Sequence, residues 1–232
     1  MLLEAGLGDW SLNLRSLQEA LDDTTRVCSY DRSGYGWSEP GPAPRTGGRI
    51  VAELEALLEA AHEPGPYVLA GHSFGGLVVL MFAEAHARSV AGVVLIDSSH
   101  PRQDEAFAAV PALGAAQKAA LANRRAIAER AAVGLVDAED ALPLAPPFLP
   151  LELKYQWAAL AARPDSLRTA LAEEDGWAAT TAQVGGRGAL GDIPLVVLAA
   201  GAGVAAAEPG LDLPPGDAAR TDAIGRSLQS TT

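Results

Sequence analysis

The segment 71–75, with the sequence GHSFG, matches the pattern G-x-S-x-G and has the clearest chemical meaning in the chain. An apolar run with strand character (67–70) precedes it, and an apolar helical run (77–85) follows it. On such a strand–turn–helix the serine hydroxyl is lifted clear of the sheet edge, and the flanking glycines leave room for the sharp turn. Backbone N–H groups at the helix N-terminus can hold a developing negative charge. We therefore predict Ser73 as a nucleophile and the Phe74 N–H as one oxyanion donor, with a chance match in a glycine-rich chain as the alternative.

A second oxyanion donor is predicted in the turn 6–8, which has the sequence GLG and follows the apolar run 1–5. Where a serine occupies this kind of elbow, the second N–H comes from the loop after a neighbouring strand. We assign this role to the Leu7 N–H. An ordinary strand-to-helix turn is the alternative for the same residues.

Serine at its free pKa is a weak nucleophile, so a base must lie beside Ser73. The chain has four histidines, none of them after residue 100: His62, His72, His86 and His100. His100 follows the predicted strand 90–96, which is expected to pair with the elbow strand, so it could approach Ser73 as a base. We favour the alternative, a polar hinge residue without a catalytic role. His72 is interpreted as a loop contact, and His62 and His86 as surface residues at helix ends.

Asp97, at the end of the strand before His100, is the candidate acid. A purely structural carboxylate at a strand end fits the pattern equally well. Glu208, Asp212 and Asp217 in the last stretch of the chain are the alternatives, although no G-x-D pattern marks any of them.

These residues need a scaffold to position them, and the hydrophobic pattern predicts five short apolar strands: 1–5, 26–30, 67–70, 90–96 and 193–198. Helical repeats separate the first four. Strands that are apolar on both faces and alternate with helices are typical of a mostly parallel sheet flanked by helices, which is the α/β class. Residues 101–191 are alanine-rich and helical in pattern, which favours an insertion between the last two strands. From about residue 201 the Ala-, Gly- and Pro-rich sequence predicts poor order.

Three weaker features remain. Asp31 and Arg32 are interpreted as a pair that stabilises the turn after the second strand. Trp10 and Trp37 are expected in the core, with a pocket wall as the alternative. Cys28 lies within a strand pattern and is interpreted as a buried thiol.

Composition excludes several classes of protein. With 17 Lys plus Arg against 29 Asp plus Glu, the net charge is 17 − 29 = −12, which argues against partners with phosphate backbones or anionic lipid surfaces. Hydrophobic residues make up 49% of the 232 residues, enough for a core. A single cysteine cannot form an internal disulfide. No dinucleotide fingerprint, P-loop or metal cluster is present, so no cofactor is expected. The start of the chain lacks the features of a signal peptide, and we expect a cytoplasmic protein.

The motifs together resemble the α/β-hydrolase fold family, in its capped esterase, lipase and epoxide-hydrolase branch. The resemblance rests on the turn 3–8 (LEAGLG), the turn 31–38 (DRSGYGWS), the elbow 71–76 and the strand end 94–99 (VLIDSS). It implies a hydrolase core at residues 1–100 and 190–232, with the end disordered, and a helical cap at 101–189. In this family such a cap shapes an apolar pocket over the serine.

The chain departs from the family in two places. The triad histidine is expected after the last strand, where the chain has none, and Met1 falls inside what would be the third strand of the family. We therefore expect a chain truncated at both ends. The prediction is a serine hydrolase for an ester or similar bond of a small apolar substrate, weakly active or inactive for lack of that histidine. The alternative is a non-catalytic, ligand-binding relative. An exposed sheet edge could support self-association.

Overall fold

The computed structural model describes residues 1–185, 190–199 and 213–230. Within them, five strands form one parallel sheet in the order β2-β1-β3-β4-β5. The strands are β1 (Leu2–Glu4), β2 (Cys28–Ser29), β3 (Tyr67–His72), β4 (Val90–Ile96) and β5 (Leu195–Leu198). The predicted fold class, a partial α/β-hydrolase sheet flanked by helices, is confirmed. β1, β2 and β5 are shorter than the apolar runs that predicted them, because pairing with a neighbour ends before the apolar sequence does.

The sheet is covered on both faces. Alternate residues of a strand point to opposite sides, and each side has its own apolar cluster. Leu2, Leu69 and Val93 pack with α2 (Gly47–Ala60) and α3 (Phe74–Ala85) on one face. Leu3 and Ala70 pack toward α1 (Arg15–Leu21) on the other. Because α3 is apolar nearly all round, it is buried along most of its length and fixes the position of the turn before it.

The predicted helical insertion consists of six α-helices in the described part of the chain. They are α4 (Gln103–Phe107), α5 (Pro111–Ala132), α6 (Ala138–Ala141), α7 (Leu151–Ala161), α8 (Pro164–Asp175) and α9 (Trp177–Gly185). Helix α7 packs against the loop after β1, α8 bonds the loop after β2, and α9 bonds the N-terminus of α2. The ring of Trp157 on α7 stacks on Trp10 with centroids 5.1 Å apart, and the Gly47 N–H donates to Thr180 Oγ1 at 2.9 Å. The insertion therefore lies at the edge of the sheet where the elbow turn is found.

Part of the C-terminal stretch is helical, although poor order was predicted there. Residues Pro215–Gln229 form a helix, α10, which packs against α4 and α5, with proline at its start, where a missing N–H costs nothing. Residues 200–212, which include Glu208 and Asp212, lie outside the described residues. Short helices in proteins are stabilised mainly by packing on another surface, and composition does not reveal that surface. Among the described residues, no helix has the length and apolar character required to cross a membrane.

Candidate functional site

Ser73 lies at the junction between β3 and α3 with a strained backbone. Its φ of 50° and ψ of −122° are unusual for a residue with a side chain. Three hydrogen bonds hold this conformation: its N–H donates to Ile96 O at 3.2 Å, and its carbonyl accepts from Gly76 N at 2.9 Å and Ser99 N at 3.0 Å. Strain of this kind persists only where the surroundings over-determine it, and it is concentrated at functional sites.

Glycines around Ser73 are required by close backbone packing. A Cβ on Gly71 would lie 2.5 Å from the carbonyl oxygen of Gly75, and one on Gly75 would lie 2.5 Å from the carbonyl oxygen of Ala5. Real Cβ atoms do not approach backbone oxygens this closely. The spacing of the motif is therefore explained by the tightness of the turn, and the second glycine also lets β1 approach α3.

The turn after β1 lies directly beside Ser73. A Cβ placed on Gly6 would be 3.5 Å from Ser73 Cβ, and 3.1 Å from both Asp9 Oδ2 and His72 Nδ1. The carbonyl of Gly6 accepts from Asp9 N at 3.2 Å, whereas no acceptor is found for the Leu7 N–H among the described residues. The Phe74 N–H is the first of α3 and has no partner within the helix. Both N–H groups that the sequence singled out thus lie next to the serine turn.

A buried charge cluster supports this turn, and sequence reasoning missed it. The buried side chain of Arg32 bonds Glu4 on β1 and Glu173 on α8, whose side chains are fully buried. It does not pair with Asp31 as predicted: that carboxylate accepts from Ser11 N and Trp37 N. Arg32 and Glu173 are 141 positions apart, so no local pattern could have paired them.

Burial sets the pKa values in the cluster. Desolvation raises the pKa of Glu4 above its usual value, although Arg32 and a hydrogen bond from Tyr30 oppose the shift. Burial alone lowers the pKa of Arg32, but Glu173 and Glu4 more than offset this, and the guanidinium is more firmly protonated than usual. The pKa of Tyr35 is raised by burial and by Glu173, to which its hydroxyl donates at 2.9 Å. The cluster therefore has a fixed cation at its centre.

Within the described residues, no histidine forms a hydrogen bond with the Ser73 hydroxyl. His100 is 8% exposed, and its Nδ1 accepts from Arg102 N at 3.1 Å. Burial, assisted by Arg102, lowers its pKa. His72 is half-exposed with Nδ1 3.9 Å from Asp9 Oδ2, which matches its interpretation as a loop contact. His86 packs on the ring of Phe82, and His62 is exposed with a φ of 53°.

The candidate acid, Asp97, has a left-handed backbone like the serine. Its φ is 44° and its N–H donates to Leu198 O at 2.7 Å. Its Oδ1 accepts from Gln229 on α10 at 2.6 Å. Asp217, an alternative acid, is on the first turn of α10. The carboxylate of Asp97 therefore lies on the strand next to the elbow strand, tied to the C-terminal helix.

The other residues that the sequence analysis singled out do not form one cluster. Trp10 is buried at 2% exposure, whereas Trp37 is 58% exposed and is not in the core. Cys28 is half-buried rather than fully buried. A groove of about 320 Å³ lies near Tyr67, at the opposite end of β3 from Ser73, so it is not part of the serine site. No group of three or more potential metal ligands occurs in the described ranges.

Comparisons with known proteins agree on one family. A sequence model of the family described as "alpha/beta hydrolase fold" matches residues 1–172. The uncharacterized protein YqjL of Bacillus subtilis is 36% identical over 97 residues, which is 42% of this chain and 38% of that protein. Lipase LipV of Mycobacterium tuberculosis is 42% identical over 71 residues, covering 31% of this chain and 26% of that protein. The chain thus matches less than half the length of these two relatives.

Among solved structures, a thermophilic esterase from Thermogutta terrifontis superposes with a TM-score of 0.58 and 26% identity. The match covers 85% of this chain and 70% of the esterase. The similarity therefore extends beyond the segment around the elbow and includes most of the described fold.

Proposed function

Because the chain belongs to the α/β-hydrolase fold family, we propose that it is a serine hydrolase that cleaves an ester or similar bond through an acyl-enzyme on Ser73. The observation that carries this proposal is the strained backbone of that residue, with a φ of 50° at the start of α3. Strained backbone of this kind is concentrated at functional sites, and in a strand–turn–helix elbow it presents the hydroxyl at the sheet edge. The esterase and lipase among the similar proteins support an ester as the substrate.

In the proposed reaction, Ser73 Oγ attacks the carbonyl carbon of the substrate and a new C–O bond forms. The proton of the hydroxyl passes to a base and then to the leaving alkoxide as the ester C–O bond breaks. Water reverses the sequence at the acyl-enzyme and releases the acid. The N–H groups of Leu7 and Phe74 are proposed to stabilise the negative oxygen in each tetrahedral intermediate, which is the largest contribution expected from the protein here.

We propose that α4–α9 act as the cap over this site. The proposal is supported by contacts at the carboxyl edge of the sheet: α7 packs on the loop after β1, α8 bonds the loop after β2, and α9 bonds the N-terminus of α2. In open α/β sheets, ligands bind outside the carboxyl ends of the strands. A small apolar substrate would enter between this helical layer and Ser73.

The chain of 232 residues is proposed to turn over slowly. In the described residues no histidine bonds the Ser73 hydroxyl, and His100 already uses Nδ1 as an acceptor for Arg102 N. In the neutral imidazole the proton is then on Nε2, so His100 could take the Ser73 proton only after its Nδ1 released the Arg102 N–H. Asp97 is the candidate acid. A serine site without its base retains a rate about 10³–10⁴-fold above water from its oxyanion hole and binding.

The finding that no histidine in the described residues bonds the Ser73 hydroxyl also favours a second candidate function. This function is the binding of a small apolar ligand without turnover. In this second function the elbow, the oxyanion turn (residues 6–8) and the cap are retained, but Ser73 has no proton acceptor. The two candidates differ in whether Ser73 forms a covalent bond with an electrophile.

A fluorophosphonate probe separates them. Its phosphorus bonds to a nucleophilic Ser73 Oγ, fluoride leaves and the hydroxyl proton goes to solvent or to a base. We expect labelling of the wild type, none of Ser73→Ala, and normal labelling of the matched variant Ser89→Ala, whose serine lies at the far end of the sheet. Hydrolysis of p-nitrophenyl butyrate should follow the same order. An unlabelled wild type, or equal labelling of Ser73→Ala, would eliminate the hydrolase proposal and leave the binding one.

A further inference from the structure

Arg32 is bonded to the backbone of the oxyanion turn as well as to carboxylates. Its Nη2 donates to the Gly6 carbonyl at 2.7 Å, and its Nη1 donates to the Ala5 carbonyl at 2.7 Å. The remaining contacts go to Glu4 Oε1 and to both oxygens of Glu173, at 2.7–2.9 Å. One rigid guanidinium therefore connects two consecutive peptide groups of the turn to two buried carboxylates.

The bond to Gly6 also fixes the Leu7 N–H. The carbonyl of Gly6 and the N–H of Leu7 belong to the same peptide group, which is planar and trans, so the oxygen and the hydrogen point in opposite directions. Two donors, Arg32 Nη2 and Asp9 N, hold that oxygen. The guanidinium bonds one edge of this peptide group and thereby sets the direction of the Leu7 N–H at the opposite edge.

Glu173 extends the connection to the helical layer. It belongs to α8, has no exposed surface and takes a bidentate bond from Arg32. The Tyr35 hydroxyl donates to the same carboxylate at 2.9 Å and accepts from the Gly8 N–H at 3.2 Å. Both ends of the turn, at Gly6 and at Gly8, are thus linked to one residue of α8.

We infer that Arg32 is the positioning residue of the oxyanion turn, and that Glu173 makes the direction of the Leu7 N–H depend on docking of α8. The inference rests on the proposed function, since the turn has a catalytic meaning only if Ser73 is a nucleophile. Arg32 touches no reacting atom and acts through the peptide that it holds. The docked position of α8 then contributes to the oxyanion hole through the Leu7 N–H.

The main experiment measures labelling of Ser73 by a fluorophosphonate across a range of probe concentrations, which separates the maximal rate from the half-saturating concentration. Arg32→Lys keeps the charge but loses the forked geometry that reaches two carbonyls and two carboxylates. Because a displacement of about 1 Å can cost about 100-fold in rate, we expect the maximal rate to fall by about 10- to 100-fold, with little change in half-saturation.

Glu173→Gln is the second variant. It keeps the shape of the side chain, and we expect it to disturb folding less than Arg32→Lys does. It removes one charge from the cluster and weakens the link to α8, and we expect a smaller decrease in the same rate. Arg45→Lys is the matched control: Arg45 is also 3% exposed and ion-paired, but it bonds Glu53 and no residue of the turn. A decrease that also occurs in Arg45→Lys, or an unchanged rate in both test variants, would overturn the inference.

A second measurement tests the positioning role of Arg32 even if the wild type is not labelled. The amide ¹H–¹⁵N signals of Leu7 and Gly8 report the turn without any reaction. We expect both to shift in Arg32→Lys and in Glu173→Gln, and to stay in place in Arg45→Lys. Unlabelled wild type with these shifts would refute the hydrolase proposal but retain the positioning role; unshifted signals would refute the positioning role whatever the labelling shows.

Discussion

Arg32 and Arg45 are both 3% exposed, but their surroundings differ. Every nitrogen of the Arg32 guanidinium has a partner, and the partners lie on β1, on the turn after it and on α8. Arg45 bonds Glu53 on α2, and its Nε and Nη2 have no partner in the described part of the chain. Burial of a charge is therefore not by itself a sign of its importance; the number and separation of its partners distinguish the two sites.

The largest expected difference is in stability. Removing one partner from a buried ionic cluster leaves uncompensated charge and costs about 3–5 kcal/mol. Arg32→Met leaves Glu4 and Glu173 facing each other without a cation, and we expect a loss in that range. Chemical denaturation of wild type and variant measures it. A loss below about 1 kcal/mol would show that the cluster relaxes or admits water.

Tyr35→Phe tests the outer part of the same cluster. It removes the hydroxyl that donates to Glu173 and accepts from Gly8 N. A hydrogen bond to a charged group contributes about 1.5–3 kcal/mol, and we expect a loss of this size in the free energy of unfolding. Tyr67→Phe is the control, since among the described residues that hydroxyl bonds only the backbone carbonyl of Glu63. Equal losses in both variants would remove the distinction between a clustered and an isolated hydroxyl.

The pH dependence of stability sharpens the comparison further. Burial raises the pKa of Glu4, so the folded state holds this proton more tightly than the unfolded state. Its contribution to stability is complete below the unfolded pKa near 4.5 and is lost as the pH rises through the folded pKa. Relative to Glu4→Gln, the wild type should lose stability over that window. Denaturation at a series of pH values measures the difference, and a difference independent of pH would contradict the assignment.

The smallest effect is expected at Arg45. Arg45→Met removes two guanidinium nitrogens without acceptors, and it leaves Glu53 at a site where the side chain is 24% exposed to water. Buried donors without partners cost about 1–3 kcal/mol each, so the substitution should be neutral or stabilising by about 1 kcal/mol. Thermal unfolding beside Arg32→Met provides the test. A loss as large as that of Arg32→Met would show that the two arginines are equivalent.

Much of the fold and part of the site could be predicted without coordinates. Each of the five strands is present where an apolar run occurs, and the G-x-S-x-G segment forms a turn between strand and helix. The Pro215–Gln229 helix differs from the predicted disorder because composition does not show the surface of α4 and α5 on which it packs. The prediction that Arg32 pairs with Asp31 is wrong, because a sequence shows charge pairs only between residues a few positions apart, whereas the partners of Arg32 are distant in the chain.

What the sequence by itself determined is local: the alternation of strands and helices, and a serine turn whose glycines leave room for close backbone packing. Backbone preferences and hydrophobic period depend on residues within a few positions of each other. Only the tertiary structure decided that Glu173, 141 positions from Arg32, completes a buried cluster behind the Gly6 peptide. That pairing depends on the path of the whole chain, since a buried charge is tolerated only where the fold brings its partners together.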